Sequence, residues 1–452
     1  MKVLHIALTD RGGAGAGMLN QHRALLAQGI DSKVLVAFKR TDLDTVFQAV
    51  PNQYMWGTSS AAMFLQKAAR RFGICLNRYD RYRRTLYKIR SKHWVHYSMP
   101  VTPYDLSEHP LVQEADVINL HFVADFLDYE SFFRNVRKPI VWTMRDENPG
   151  LGGFHYTSDK EEFYPYFAEI EDEFAAIKKR AVAECERLHI VALSNNMRDY
   201  CTQSACFAGR PVTIIPNAIN AADFRPYCRN EARKYLGIGE NDAVIAFVSC
   251  AIGDERKGFA DLALAVQRLQ AKTSVPLNVL CVGTNDYKGP LPPNCRFFGH
   301  FTTVDQLSSV YSAADVFAAP SYQESFGKTV VEALCCGTPV VSTPVGIAPE
   351  IINERNGALC RVGDIADLAR ALRHVLGRTY DKEAIRQEAR SAFRPAAVAE
   401  KYIKLFQEVI QYICRTRSPK YPSSPLRTTA PPLWKGRCKT CCGRRTAISS
   451  TS

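Results

Sequence analysis

Short apolar runs alternate with longer stretches of helical spacing along most of the chain, and the runs predict strands. In the first half they fall at Lys2–Leu8, Ser32–Phe38, Val117–Leu120, Pro139–Thr143 and Leu188–Ala192. In the second half they fall at Val244–Ser249, Leu277–Gly283, Arg296–Phe298, Val316–Ala319 and Pro339–Ser342. A glycine-rich turn and a helix over Gly17–Gln28 follow the first run, and an almost wholly apolar helix stopping at Gly337 follows Val316–Ala319. Such alternation predicts an α/β protein with mostly parallel sheets covered by helices on both faces. The pattern divides into a first domain over residues 1–205, a hinge at 206–212 and a second domain over 213–394, with a last helix over 395–414.

A chain of 452 residues with 46% hydrophobic content is long enough for about two domains with real cores. The formal charge of +13 is unevenly placed, because the Pro/Ser/Thr-rich segment 415–452 carries nine Lys and Arg and no acid. That tail reads as disordered, and without it the folded part is only mildly basic, which removes the compositional case for nucleic-acid binding. Val3–Leu8 is too short for a signal peptide, and no run approaches the ~20 apolar residues of a membrane span. The 15 cysteines therefore read as reduced thiols of a cytoplasmic protein. Cys438, Cys441 and Cys442 have metal-like spacing, yet three thiols without a nearby histidine fall short of a zinc site.

The richest chemistry lies in ADVFAAPSYQESFGKTVVEALCCGTPVVSTPVGIAPE, from Ala314 to Glu350. Glu324 falls in the loop and Glu332 inside the following helix, so the pair brackets the helix's free N–H groups, which carry roughly half a positive charge. That geometry leaves a place for a diphosphate between carboxylates on the order of 10 Å apart, each able to accept two hydroxyl hydrogen bonds. Val330, Val331, Ala333 and Leu334 leave Glu332 no polar helix face to share, which argues against a merely solvated residue. Earlier in this half, Asp254-Glu255-Arg256-Lys257-Gly258 follows a strand and opens a helix, aiming its cations at the same edge. Near the start, Gly12-Gly13-Ala14-Gly15-Ala16-Gly17 invites a dinucleotide reading, but Met18 stands where the last glycine is needed and Phe38-Lys39-Arg40 where a ribose-binding acid is expected.

The segment around Glu324 and Glu332 resembles the E-x7-E signature of retaining glycosyltransferases of the GT-B type, in family four. The resemblance extends to GGAGAGMLNQHRALLAQG, DVINLHFV, KPIVWTMRDENPGLGGFHY, IPNAIN and DERKGF, and the group it looks most like makes bacterial exopolysaccharide and surface glycans. It implies two Rossmann-like, doubly wound domains facing each other across a cleft, the last helix crossing back onto the first. It implies a donor site for a UDP- or GDP-sugar made of Gly13, Arg256, Lys257, Ser325, Phe326, Gly327, Lys328 and Glu332, with Glu324 and Lys257 at the chemistry. The family's further arginine is absent, Cys250-Ala251-Ile252 standing near its place, so Arg256 is its expected substitute.

The first domain is then expected to bind a glycan or lipid-linked acceptor through His121, Arg145 and Asp146, with His121 also a catalytic candidate. Arg145-Asp146 stands where relatives have His-Asp, and a guanidinium cannot take a proton at neutral pH, so Arg145 is expected to bind an anion or to pair with Asp146 or Glu147. Breaking the anomeric bond to phosphate calls for preorganised positive charge, which Lys257, Arg256 and the amides of Ser325–Gly327 would supply. The lone D-x-D, Asp42-Leu43-Asp44, lies far from the donor side, so neither a metal nor another cofactor is expected. A GT-B epimerase or hydrolase acting on the donor alone stays open, as does a non-catalytic sugar-binding protein. Finally, Lys67–Lys92 interleaves Arg70, Arg71, Arg78, Arg81, Arg83, Arg84, Lys88 and Arg90 with Phe72, Leu76, Tyr79, Tyr82, Leu86 and Tyr87, a pattern that suits an anionic membrane surface or an ordinary solvated helix.

Overall fold

The computed structural model describes residues 1–53, 60–72, 74–220, 223–301 and 303–417. Seven strands build the first sheet: β1 (Lys2–Thr9), β2 (Asp31–Phe38), β3 (Val46–Gln48), β4 (Val117–Leu120), β5 (Ile140–Thr143), β6 (Leu188–Ala192) and β7 (Val212–Ile214). They lie in the order β3-β2-β1-β4-β5-β6-β7, every pair parallel. Six build the second: β8 (Ala243–Ala251), β9 (Leu277–Thr284), β10 (Cys295–Phe297), β11 (Val316–Ala319), β12 (Val340–Ser342) and β13 (Gly357–Leu359). Their order is β10-β9-β8-β11-β12-β13, again all parallel. Strands such as β4, β5, β11 and β12 are buried at every residue, which is why they read as unbroken apolar runs and not as alternating ones.

Three strands escape the sequence pattern. β3 and β13 are three-residue strands of mixed exposure, and β7 is a half-buried one of the same length, so none of them reads as a buried apolar run. β7 corrects the domain boundary: Val212, Thr213 and Ile214 pair with Ile190, Val191 and Ala192, so the first sheet runs through the expected hinge 206–212 and past residue 213, and the chain leaves it only after Ile214. The glycine-rich stretch is corrected as well. The first helix spans Gly12–Ala27, so these glycines form its opening turns and not a loop before it. A Cβ on Gly15 would lie 2.6 Å from the Asp10 carbonyl carbon, so small residues let the helix start directly on the end of β1.

Each domain has its own core. In the first, Leu4, Ile118, Trp142 and Ile190 pack under Phe132 and Phe133. In the second, Phe317, Val331, Leu334 and Val340 pack one face, and Ile245, Val279, Val316 and Leu372 the other. The last helix, Pro395–Arg417, seats Val398, Tyr402, Leu405 and Phe406 on Val3, Val117, Val141 and Val191 of the first sheet, so it crosses back between domains, and it runs on past Cys414. From residue 418 the basic tail, with Cys438, Cys441 and Cys442, lies outside the described residues. Among those described, no helix is long and apolar enough to cross a membrane.

The cationic segment is two helices, Ser60–Arg71 and Arg78–Arg90, and the second is docked. Tyr82 and Leu86 are buried beside Phe167 and Phe174 of the helix Thr157–Ala183. Arg78 pairs with Glu130 at 2.5 Å, Tyr82 donates to Glu173, and Arg90 donates to the Tyr97 carbonyl oxygen. Those side chains are spent on the fold, while Arg83, Tyr87 and Lys88 stay exposed.

Phe406 is fully buried where the returning helix meets the first sheet. Phe406→Ala is expected to cost about 3–5 kcal/mol, read as a lower urea midpoint; an unchanged midpoint would show that this helix does not brace the first domain.

Candidate active site

In both sheets the strand order reverses once, between β1 and β4 in the first and between β8 and β11 in the second. Loops leaving the carboxyl ends of such neighbours diverge to opposite faces and open a crevice there. Gly13 follows β1, His121 follows β4 and Arg145-Asp146 follows β5; Arg256-Lys257 follows β8 and Glu324–Lys328 follows β11. Topology therefore gathers residues scattered over the whole chain at two carboxyl edges. Those edges face each other: the Gln323 amide donates to Glu147 Oε1, Ser158 Oγ donates to Gln323 Oε1 at 2.9 Å, and Ser194 Oγ donates to the Ser325 carbonyl oxygen at 3.1 Å.

On the second-domain side, Lys257 Nζ lies 2.5 Å from Glu324 Oε1, which also accepts from Ser321 Oγ at 3.1 Å. Burial works against the Lys257 charge, but Glu324 outweighs it and the ammonium pKa rises above its ordinary value. Gly258 makes this approach possible. It sits at φ 70°, and a Cβ there would collide with the Pro320 carbonyl oxygen, so the β8 and β11 loops touch backbone to backbone. Gly327, at φ 83°, turns the chain into the helix Lys328–Cys335, whose first amides face the same edge.

Three expected donor residues sit differently from the sequence reading. Arg256 is clamped by Asp254, with Nε on Oδ1 at 3.1 Å and Nη2 on Oδ2 at 2.8 Å, and its guanidinium lies 4.1 Å from the Tyr156 ring centre across the cleft. It joins the domains and is not aimed alone at a leaving group. Phe326 is buried against Phe393, and its carbonyl oxygen accepts from the Ile347 amide at 2.8 Å, which leaves only its N–H for a ligand. Glu332 is buried but supplied with donors inside its own domain, Tyr311 Oη at 3.1 Å and Lys328 Nζ at 3.6 Å. Tyr311, Tyr156 and Gln323 carried no sequence signal of their own, although Gln323 lies inside the motif.

On the first-domain side Gly13 is exposed in the opening turn of its helix, with no atom within 4 Å of where a Cβ would stand. Arg145 is buried. Its Nε and Nη2 reach His121 Nδ1 at 3.2 and 3.0 Å, and Nη1 donates to Asn217 Oδ1. The expected pairing with Asp146 or Glu147 does not form. Asp146 holds His155 Nδ1 at 2.5 Å and accepts from the Asn148 amide; Glu147 accepts from Thr157 and Gln323. Since arginine can only donate, His121 Nδ1 is an acceptor, its proton sits on Nε2, and Nε2 donates to His5 Nδ1 at 2.8 Å. With both nitrogens committed inside the domain, His121 is not placed to take a proton from an acceptor, which corrects its expected catalytic role. Its partners lie 24 and 116 positions away, which no local pattern reveals.

Burial holds His5 and His121 well below the usual histidine range, with the Arg145 charge adding to it, and burial brings His22 to about 4. A histidine whose pKa is depressed in the fold stabilises it above the unfolded value near 6.5 and destabilises it as pH falls towards the folded value. Stability is therefore expected to fall between about pH 6.5 and 4, by up to ~1.4 kcal/mol per pH unit for each of the three rings. Urea midpoints at pH 7 and 5 check this, and equal midpoints would contradict it.

Residues 242–378, the larger part of the second domain, match the sequence model of the family described as glycosyl transferases group 1. The D-inositol 3-phosphate glycosyltransferase of Mycolicibacterium vanbaalenii is 34% identical over 189 residues, covering 36% of this chain and 40% of that protein. The enzyme of that name from Geodermatophilus obscurus is 27% identical over 283 residues, 57% of this chain and 59% of its own. The chain thus spans about two to three fifths of the length of these curated relatives. Among solved structures, Anabaena HepE in complex with UDP and glucose superposes over 90% of this chain and 99% of its own, at a TM-score of 0.59 and 17% identity. Sucrose-phosphate synthase from Thermosynechococcus elongatus covers 91% and 100%, at 0.58 and 17%. At such identities the likeness speaks for the fold, and the fold is GT-B. The chain has the GT-B fold of two facing doubly wound domains, and over residues 242–378 it is similar to the family described as glycosyl transferases group 1.

Proposed function

We propose that the protein is a metal-independent glycosyltransferase that moves a sugar, with retention of anomeric configuration, from a UDP- or GDP-sugar to a glycan or lipid-linked acceptor of bacterial polysaccharide. The observation that carries this reading is the Lys257–Glu324 pair, held beside the amino end of Lys328–Cys335 at the point where the strand order of the second sheet reverses. A cation, free helix amides and a carboxylate at one edge suit a diphosphate joined to a hydroxyl-rich ring. HepE, which shares the fold, was crystallised with UDP-glucose, and that supports a nucleotide-sugar donor.

In this reading the bond from the anomeric carbon to the diphosphate oxygen breaks, and Lys257 with the amides of Ser325–Gly327 stabilises the charge left on phosphate. Glu324 orients Lys257 and accepts hydroxyls of the transferred ring, while Glu332 marks the nucleotide end. The acceptor oxygen attacks the same face of the ring, and its proton passes to the departing phosphate oxygen. That route needs no side-chain base, in keeping with a His121 whose nitrogens are occupied and an Arg145 that cannot accept.

Lys257→Ala is expected to lower turnover at least ~100-fold, because it removes charge stabilisation from the leaving group. Nucleotide release from a panel of sugar nucleotides, with and without bacterial lipid extract, measures it, and the anomeric configuration of the product is read by NMR. An inverted product, or activity abolished by EDTA and restored by manganese, would overturn this mechanism. Release that does not depend on an acceptor would point to the hydrolase instead.

We also propose that the protein works at the cytoplasmic face of an anionic membrane. Phe72 and Trp94 are about four-fifths exposed, at 82% and 80%, and Phe64, Leu65, Ile74 and Tyr87 are exposed near them in sequence. Exposed Lys67, Arg71, Arg83, Lys88 and Lys92 accompany them, and the single acid of residues 60–94, Asp80, is buried. Apolar rings among unopposed cations match an anionic lipid surface. Arg83→Glu with Lys88→Glu and Lys92→Glu is expected to release the protein from anionic liposomes at moderate salt; unchanged pelleting would refute the assignment.

A further inference from the structure

Among the described residues two guanidinium groups are buried, and they are treated differently. Arg233 is fully buried and neutralised: Nη2 meets Asp315 Oδ2 at 2.9 Å, and its other nitrogens donate to the carbonyl oxygens of Gly239, Glu240, Asp242 and Ala313. Arg145 is about nine-tenths buried and meets no charge of opposite sign. Its partners are a neutral imidazole and an amide, with the Tyr402 phenol near by, and among the described residues no carboxylate lies at ion-pair distance. The two acids next to it in sequence are turned away, Asp146 towards His155 and Glu147 towards Thr157 and Gln323.

The surroundings are arranged to keep the cation in this place. A Cβ on Gly17 would stand 2.7 Å from Arg145 Nη1 and 3.0 Å from Asn217 Oδ1, so only glycine leaves room for the pair. His121 Nδ1 accepts from Nε and Nη2, and its other ring nitrogen is held against His5 Nδ1 at 2.8 Å. A guanidinium has five N–H donors, and neutral partners cannot offset its loss of water as an anion can. It also lies just beyond the carboxyl end of β5, on the edge that faces the second domain. Burial lowers its pKa only to about 10, so the charge is present at neutral pH.

We propose that Arg145 pairs an oxyanion of a substrate, a phosphate or a carboxylate, on the first-domain side of the cleft. This rests on the transferase reading and deepens it. One oxyanion chemistry has two sources here: the diphosphate of the donor, or an acidic group such as a phosphate or a uronate on the acceptor. Bidentate pairing with a planar or tetrahedral oxyanion is what a guanidinium does better than any other side chain.

Calorimetric titration of Arg145→Gln and of the wild type tests the proposal, with UDP, GDP, inorganic phosphate and glucuronate as probes, the last two also on nucleotide-saturated protein. At least a ten-fold loss of nucleotide affinity in the variant supports the proposal and names the donor. Unchanged nucleotide affinity with a ten-fold loss for phosphate or glucuronate supports it and names the acceptor. Equal affinities for all probes in a variant of unchanged melting temperature overturn it. Gly17→Ala displaces the guanidinium without removing it and keeps a helix-compatible residue, so it is expected to reproduce the loss. If Arg145→Gln fails to fold, a folded Gly17→Ala with wild-type affinities overturns the proposal by itself. A wild type that binds neither UDP nor GDP sinks the transferase reading and this inference with it. Nucleotide binding that is indifferent to Arg145, with no response to phosphate or glucuronate, sinks this inference alone.

Discussion

Strands that all run the same way must be joined by crossings that return over a face of the sheet, so every loop leaving a carboxyl end arrives on one edge. Both sheets here obey that constraint, and each reverses its strand order once. The reversal fixes where a crevice opens, and the meeting of the two edges through Glu147, Gln323, Ser194 and Ser325 turns two crevices into one cleft. The placing of Lys257, Glu324, Arg145 and Gly13 follows from it. Even the returning helix fits this scheme, because seating Tyr402 and Phe406 on β1, β4 and β5 puts the Tyr402 phenol beside Thr143 and Arg145.

Charge placement separates scaffold from site. Ionic groups that the fold uses are matched closely, as with Arg233 on Asp315 or Arg78 on Glu130. At the cleft Lys257 and Arg256 are matched as closely, and Arg145 is not. Lys257 and Glu324 hold each other where a substrate would engage both, Arg256 lends its charge to Tyr156 and Asp254, and Arg145 is surrounded by neutral groups. Buried charge without a counter-ion is expensive to keep, which makes its persistence informative about ligands.

Ten of the strands, the helix bearing Glu332 and the two loops that carry Lys257 and Glu324 were legible in the sequence, because each rests on a local pattern: a buried run, a turn at Gly327, or a charged loop after a strand. So was the crossing of the last helix, by likeness to a family. Less legible were β3, β7 and β13, none of them buried throughout, whose pairing depends on a neighbouring strand being in place. The glycines at the start misled for a related reason. Gly12–Gly17 looks like a loop by composition and is helical in the fold, where Gly15 lies against the end of β1 and Gly17 against Arg145.

By itself the sequence determined an α/β chain in two units, the motif edge of the second unit and the cations that serve it, because backbone periodicity and turn chemistry are written over a few consecutive residues. The tertiary structure alone decided what each polar side chain can do. His121 loses its availability to Arg145 and His5, Arg256 is drawn across to Tyr156, Glu332 finds Tyr311, and Gln323 reaches Glu147 from 176 positions away. The reason is physical: a hydrogen-bonding partner is chosen by distance in space after the cores have closed, and the packing of two sheets brings together residues that no local stretch of sequence relates.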